Sequence, residues 1–205
     1  MGIYENITRG ISSLTHPSSE GSKSLRISES LLIYYPIALI SLILAIIVNY
    51  AYRSYSGATT YMHGFVAMHP IALAIVYLVA IPIGIFIDAA IYQLVGKYFL
   101  NAFKGAYSKT FAAYTFAIMP FLALYWIAQI PILIIPLDML IAIWSMVILV
   151  IAIAAQHKIK RTDAVITVIT AFALMCIIAC FVFFGLALSS LPLIAGHYGA
   201  GAMVP

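Results

Sequence analysis

Apolar residues fall into five long blocks separated by short polar stretches. They cover about 31–52, 70–95, 110–129, 132–155 and 163–188. None alternates as a half-buried strand or a membrane barrel strand would. Each is close to the roughly 20 residues that a helix needs to cross a bilayer core. The pattern predicts an all-α, polytopic transmembrane helical bundle of five spans. Pro36, Pro82 and Pro120 fall inside blocks, and Pro82 with Gly84, and Pro120, predict kinks. Pro131–Pro136 reads as a tight turn between the third and fourth spans.

Ahead of the blocks, Ile3, Ile7, Ile11 and Leu14 recur at helical spacing beside Tyr4, while Asn6, Arg9 and Ser13 fall elsewhere on the wheel. This predicts a short amphipathic helix lying in the membrane interface, with Ile3, Ile7 and Ile11 as its interfacial contacts. His16 before Pro17 should end it, Ser18 to Lys23 reads as a loop, and Ser28 or Ser30 can cap the next helix. The chain then divides into a cytosolic amphipathic segment (1–30), a five-helix transmembrane domain (31–188) and a short external tail (189–205).

Charge sets the orientation. Nine of the ten Lys and Arg residues lie on one side of a five-span layout: Arg9, Lys23 and Arg26, then Lys97, Lys104 and Lys109, then Lys158, Lys160 and Arg161. Only Arg53 lies opposite. The positive-inside rule therefore places the N-terminus inside and the C-terminus outside. Tyr34 and Tyr35 at one end of the first span, Tyr50, Tyr52 and Tyr55 at the other, and Tyr125 with Trp126 read as interfacial aromatic belts.

Composition supports this reading. Hydrophobic residues make up 65% of the chain and charged residues 8%, against about 45–50% and 25% in soluble domains. A soluble domain and a disordered chain are excluded. The net charge of +4 then reports orientation and not nucleic-acid binding. The first apolar run is too long for a signal peptide core, and no lipidation motif is present. A multi-pass protein of the cell membrane is expected.

Candidate chemistry is sparse. An ionisable residue within a span is a functional candidate by default. Asp88 lies 18 residues past Pro70, about 27 Å along a helix, near the inner interface. Lys97 is within reach as an ion-pair partner, and Tyr92, one turn on, as a hydrogen-bond partner. Asp138 and Asp163 read as helix-start carboxylates. Trp144, Cys176 and Cys180 read as packing residues. Ser41, Thr115, Ser145 and Thr167 can each bond back to their own helix. His63, His69 and His197 fall outside without a carboxylate or thiol to complete a metal site, and His16 and His157 read as solvated or lipid-facing. Metalloprotease, nucleophile-elbow and P-loop signatures are missing. No catalytic activity, cofactor or metal is expected. No Gly-x-x-x-Gly pair marks a helix dimer.

One long stretch resembles a known family. Tyr92-Gln93-Leu94-Val95-Gly96-Lys97 is followed by Phe103-Lys104-Gly105-Ala106-Tyr107, then by Ala113-Tyr114-Thr115 and Met119-Pro120. Ile143-Trp144-Ser145, Gln156-His157-Lys158-Ile159 and Asp163-Ala164 continue the match, and Leu14-Thr15-His16-Pro17 precedes it. The pattern resembles the Yip family of membrane proteins, named for interaction with Ypt/Rab GTPases, in a short prokaryote-type form that lacks the long polar N-terminal region. The resemblance implies five spans and a membrane-organising or scaffolding role without catalysis. The alternative is a small-solute or lipid transporter using the kinked second and third helices. The expected partners are the lipid bilayer and either another membrane protein or a second copy of the chain.

Overall fold

The computed structural model describes residues 3–16, 25–56, 69–124, 126–127 and 134–199. Every long element among them is helical: α1 (Ile3–Thr15), α2 (Ile27–Ser56), α3 (Pro70–Phe99), α4 (Tyr107–Ala117), α5 (Met119–Leu124), α6 (Ile134–His157) and α7 (Arg161–Gly199). The loop expected over Ser18 to Lys23 and the first half of the Pro131–Pro136 turn lie outside the described residues. Pro136 itself sits in the first turn of α6.

Four helices are long and apolar enough to cross a membrane: α2 over Ile27–Ala51, α3, α6 over Ile135–His157 and α7 over Arg161–Phe184. The third apolar block differs from expectation. It begins earlier and forms two shorter helices, α4 and α5, broken at Ile118. Pro120 supplies the reason: it has no N–H for the Phe116 carbonyl four residues back. The expected external tail is helical as far as Gly199.

Two compact units divide the chain. The first runs to Val168 and contains α1 to α6 with the first turns of α7. Its centre is α4, packed against α2, α3 and α6. Thr110 to Ala113 and Thr115 to Ala117 are all buried, and the three alanines among them let neighbouring helices approach closely. The second unit, from Ile169, is the remainder of α7. Its described apolar side chains are largely exposed, Phe181, Phe183 and Phe184 most of all, and so are the free Cys176 and Cys180. The cysteines are therefore not interior packing residues of this chain. Trp144 likewise points outward from α6.

Helix α2 begins before the expected serine caps. Arg26 precedes its first turn, and its backbone N–H donates to Glu29 Oε2 at 2.8 Å. This is the reciprocal half of a capping box. Ser30 instead bonds back to the Arg26 carbonyl.

Proline also shapes α3. The helix widens over Val76–Ala80, where the Ile81 N–H reaches five residues back to the Val76 carbonyl. The Tyr77 carbonyl thus loses its normal donor, Ile81, and the next amide, Pro82, has no hydrogen to offer. The Tyr34 hydroxyl fills the gap, donating to the Tyr77 carbonyl at 2.5 Å. Tyr34 is fully buried. It joins two helices and is not an interfacial anchor; its neighbour Tyr35 keeps an outward position.

Helix α1 packs on α2 and touches α4 and α5. Among its described side-chain positions, Asn6 and Gly10 are buried. A Cβ at Gly10 would collide with Ile37 Cδ1, so glycine sets the closeness of this contact. Tyr4 (83% exposed) and Ile11 (55%) face outward, and Ile7 is half-buried. The Ile3 side chain lies outside the described residues. The polar Asn6 face, and not the Tyr4 and Ile11 side, meets the bundle.

Candidate functional site

Polar side chains of the first unit gather where α3, α4 and α6 meet. A second wide turn, Val95–Phe99, ends α3, with the Leu100 N–H donating to the Val95 carbonyl. The chain then folds back on Gly96, whose carbonyl accepts from the N–H groups of both Ala102 and Phe103. A Cβ on Gly96 would stand 2.5 Å from the Phe103 ring. Asn101 makes the reversal with a positive φ of 49°, a conformation that asparagine tolerates better than most residues. Phe103 then stacks on His157 at the end of α6, ring centroids 3.9 Å apart.

Beneath this stack runs a hydrogen-bonded chain from α3 to α6. Gln93 Nε2 donates to the Gly105 carbonyl at 3.1 Å, which fixes the amide and leaves Oε1 as an acceptor. The Thr110 hydroxyl donates its single hydrogen to that Oε1. Thr110 can then only accept from His157 Nε2, 2.9 Å away. The neutral imidazole must therefore carry its hydrogen on Nε2. His157 Nδ1 is left as a buried lone pair without a partner among the described residues. His157 is only 5% exposed, which corrects the solvated or lipid-facing position expected from the sequence. Gly105 leaves it room: a Cβ there would meet Lys109 Cδ at 2.7 Å and His157 Nδ1 at 3.0 Å.

Asp88 sits farther along α3, facing α4. Its Oδ2 accepts from the Tyr114 hydroxyl at 2.7 Å. Tyr92 joins the group through its ring, 5.6 Å from that of Tyr114. Lys97 lies elsewhere, its Nζ 5.4 Å over the Tyr98 ring. The structure thus joins Asp88 to Tyr114, and the only ion pair among the described residues is Glu5 with Arg9, 3.6 Å apart on α1. Two turns earlier on the same face of α4, the Tyr107 hydroxyl donates to the Phe86 carbonyl of α3 at 2.7 Å.

Other polar candidates fall into place individually. Thr115 and Thr167 bond back to their own helices as expected; the Ser41 hydroxyl faces that of Tyr77 instead, and the buried Ser145 hydroxyl finds no partner among the described residues. Asp163 opens α7. Asp138 stands just past the first turn of α6, and its Oδ1 has no partner there. His69 precedes α3 and accepts from the Ile71 N–H at 3.3 Å. His63 and the His197 side chain lie outside the described residues, which include no group of three metal-ligating side chains.

Sequence reasoning missed Gln93, Thr110, Tyr114 and the burial of His157. Their partners stand 12 to 47 residues away, so no local spacing announces them. The one available signal was the presence of Gln93, Thr110 and His157, three strongly polar side chains, at the ends of otherwise apolar blocks.

Comparison with curated proteins and with solved structures returned no significant match. Comparison with family models gave a match to the Yip1 domain over residues 11–197. That stretch takes in the α3–α4–α6 cluster, the broken third block and nearly all of the last helix. This chain is an integral membrane protein and belongs to the Yip1 domain family.

Proposed function

We propose that this protein organises its membrane without catalysing a reaction, by holding a short helix in one leaflet. The observation that carries this reading is the docking of α1. Its 13 residues span about 20 Å, too short for a hydrocarbon core of about 30 Å. At any tilt, α1 adds cross-section to one leaflet. Asn6 and Gly10 hold it to the bundle while Tyr4 and Ile11 face outward, available to lipid. Unequal leaflet area favours curvature, as with other amphipathic insertions.

The reading takes the bilayer as principal partner and the cell membrane as location. It also takes five crossings, with the N-terminus inside. Support comes from the course of the chain: α3 ends, α4 begins and α6 ends at one cluster. The 18 residues of Tyr107 to Leu124 would rise about 27 Å at full helical pitch, close to the thickness of a hydrocarbon core of about 30 Å.

Vesicle shape tests it. Reconstituted wild-type protein should reduce liposome diameter, measured by electron cryo-microscopy. Ile11→Glu and Gly10→Leu should abolish the effect, the second by undocking α1, while Asp88→Asn preserves it. Equal vesicles with and without functional α1 would sink the proposal.

A second reading, a small-solute or lipid transporter, is favoured by one observation: a carboxylate held by a tyrosine between a widened helix and a broken one. It requires Asp88→Asn to abolish flux of solute or lipid in a protein that still folds.

A further inference from the structure

We propose that the end of the first unit where α3, α4 and α6 meet binds the phosphate of an anionic phospholipid headgroup, held between the Lys104–Lys109 loop and the turn after His157. The packing brings two basic segments together that are about 50 residues apart in sequence. Phe103 stacked on His157, and Gln93 bonded to Gly105, fix the first segment to the end of α6. Lys109 and His157 approach the same point beside Gly105. Lys104 and Lys109 thus flank Gly105, and Lys158, Lys160 and Arg161 follow directly from His157.

Among the described residues, none of these cations makes an ion pair. Asp163, in the first turn of α7, is the nearest carboxylate in sequence. It is exposed and makes no ion pair with them among the described residues. The site therefore presents several unpaired cations at the end of apolar helices, where a membrane supplies phosphates. Tyr98 and Phe99, both strongly exposed beside Lys97, provide the apolar margin expected at the boundary of headgroup and acyl chain.

The backbone adds an independent observation. Helix α6 ends in a Schellman arrangement, with the Ile159 N–H donating to the Ala154 carbonyl. The residue in the left-handed position is Lys158, with φ 53°. Glycine is the usual occupant of this position because any Cβ is strained there. A lysine kept at a strained cap points to work for its side chain.

This surface is tested by lipid retention and the docking of α1 by vesicle shape, so either proposal can fail alone. The full chain in nanodiscs mixing phosphatidylglycerol with phosphatidylcholine, released and weighed by native mass spectrometry, should retain phosphatidylglycerol selectively. Lys109→Gln and Lys158→Gln should each lower retention about fivefold, the scale for one cation near a lipid surface. Lys97→Gln should change it less than twofold. Lys158→Gly should raise the unfolding temperature while losing the lipid, which separates binding from folding. Equal losses for all three glutamine variants would reduce the effect to net charge and overturn the site. Displacement of the lipid by millimolar inorganic phosphate would overturn the assignment to a headgroup.

Discussion

Thr110 shows how much one hydroxyl can decide in an apolar interior. It takes a hydrogen from His157 and gives one to Gln93. Thr110→Val keeps the shape but leaves both partners buried and unsatisfied, a loss of about 1–3 kcal/mol. Thr115 bonds only to the Phe111 carbonyl of its own helix, which keeps its backbone donor, so Thr115→Val should cost well under about 1 kcal/mol. Denaturant titration in mixed micelles compares the two. Equal losses would show that the chain through Thr110 contributes nothing special. Nitrogen NMR of the imidazole provides a separate check: His157 should carry its hydrogen on Nε2, and a resonance pattern with Nδ1 protonated instead would refute the relay.

At the scale of elements, two prolines act differently. Pro120 ends a helix, whereas Pro82 leaves α3 continuous but one carbonyl short of a donor. Tyr34→Phe should therefore destabilise the α2–α3 pair by about 1–3 kcal/mol although ring and packing are kept. In a Pro82→Ala background the loss should shrink, because an amide hydrogen becomes available beside the Tyr77 carbonyl. An unchanged loss in that background would sever the link between the proline and the tyrosine. The double-mutant comparison is read by the same micelle titration. The sequence made the location of both prolines legible; the structure sets a wide turn before Pro82 and a helix break before Pro120. The sequence did not make Tyr34 legible, because a tyrosine near a helix end has the same pattern whether it anchors at lipid or reaches across to another helix. Helix α1 teaches the same point. Its periodicity was readable, but only packing shows that Gly10 and Asn6 form the docking side, because a glycine counts for nothing in a hydrophobic pattern and for much in a close contact.

For the whole molecule, the apolar blocks and the distribution of Lys and Arg gave the class of protein and most helix positions. The break at Ile118 and the burial of α4 on all sides came from tertiary packing. Five crossings place the two chain ends on opposite faces, and four place them on the same face. Single cysteines at Ser18→Cys and His197→Cys, in a chain with Cys176 and Cys180 changed to alanine, distinguish these cases. A membrane-impermeant maleimide should label them from opposite sides of sealed vesicles. Labelling from the same side would remove one crossing and the proposed course of α4 and α5.

The enclosure of α4 also bears on how the chain is made. Helices leave the ribosome in order, and α4 emerges while its main neighbour, α6, is still untranslated. It carries Tyr107, Ser108, Lys109 and Thr110 in its first turn and is too short to be a self-sufficient membrane segment. Until α6 arrives, its partners among the described residues are α1, α2, α3 and the short α5 that follows it. A nascent chain truncated before α6 would therefore hold its third apolar block loosely, open to extraction or proteolysis. Completion of α6 would be the moment at which the block is committed to the bilayer.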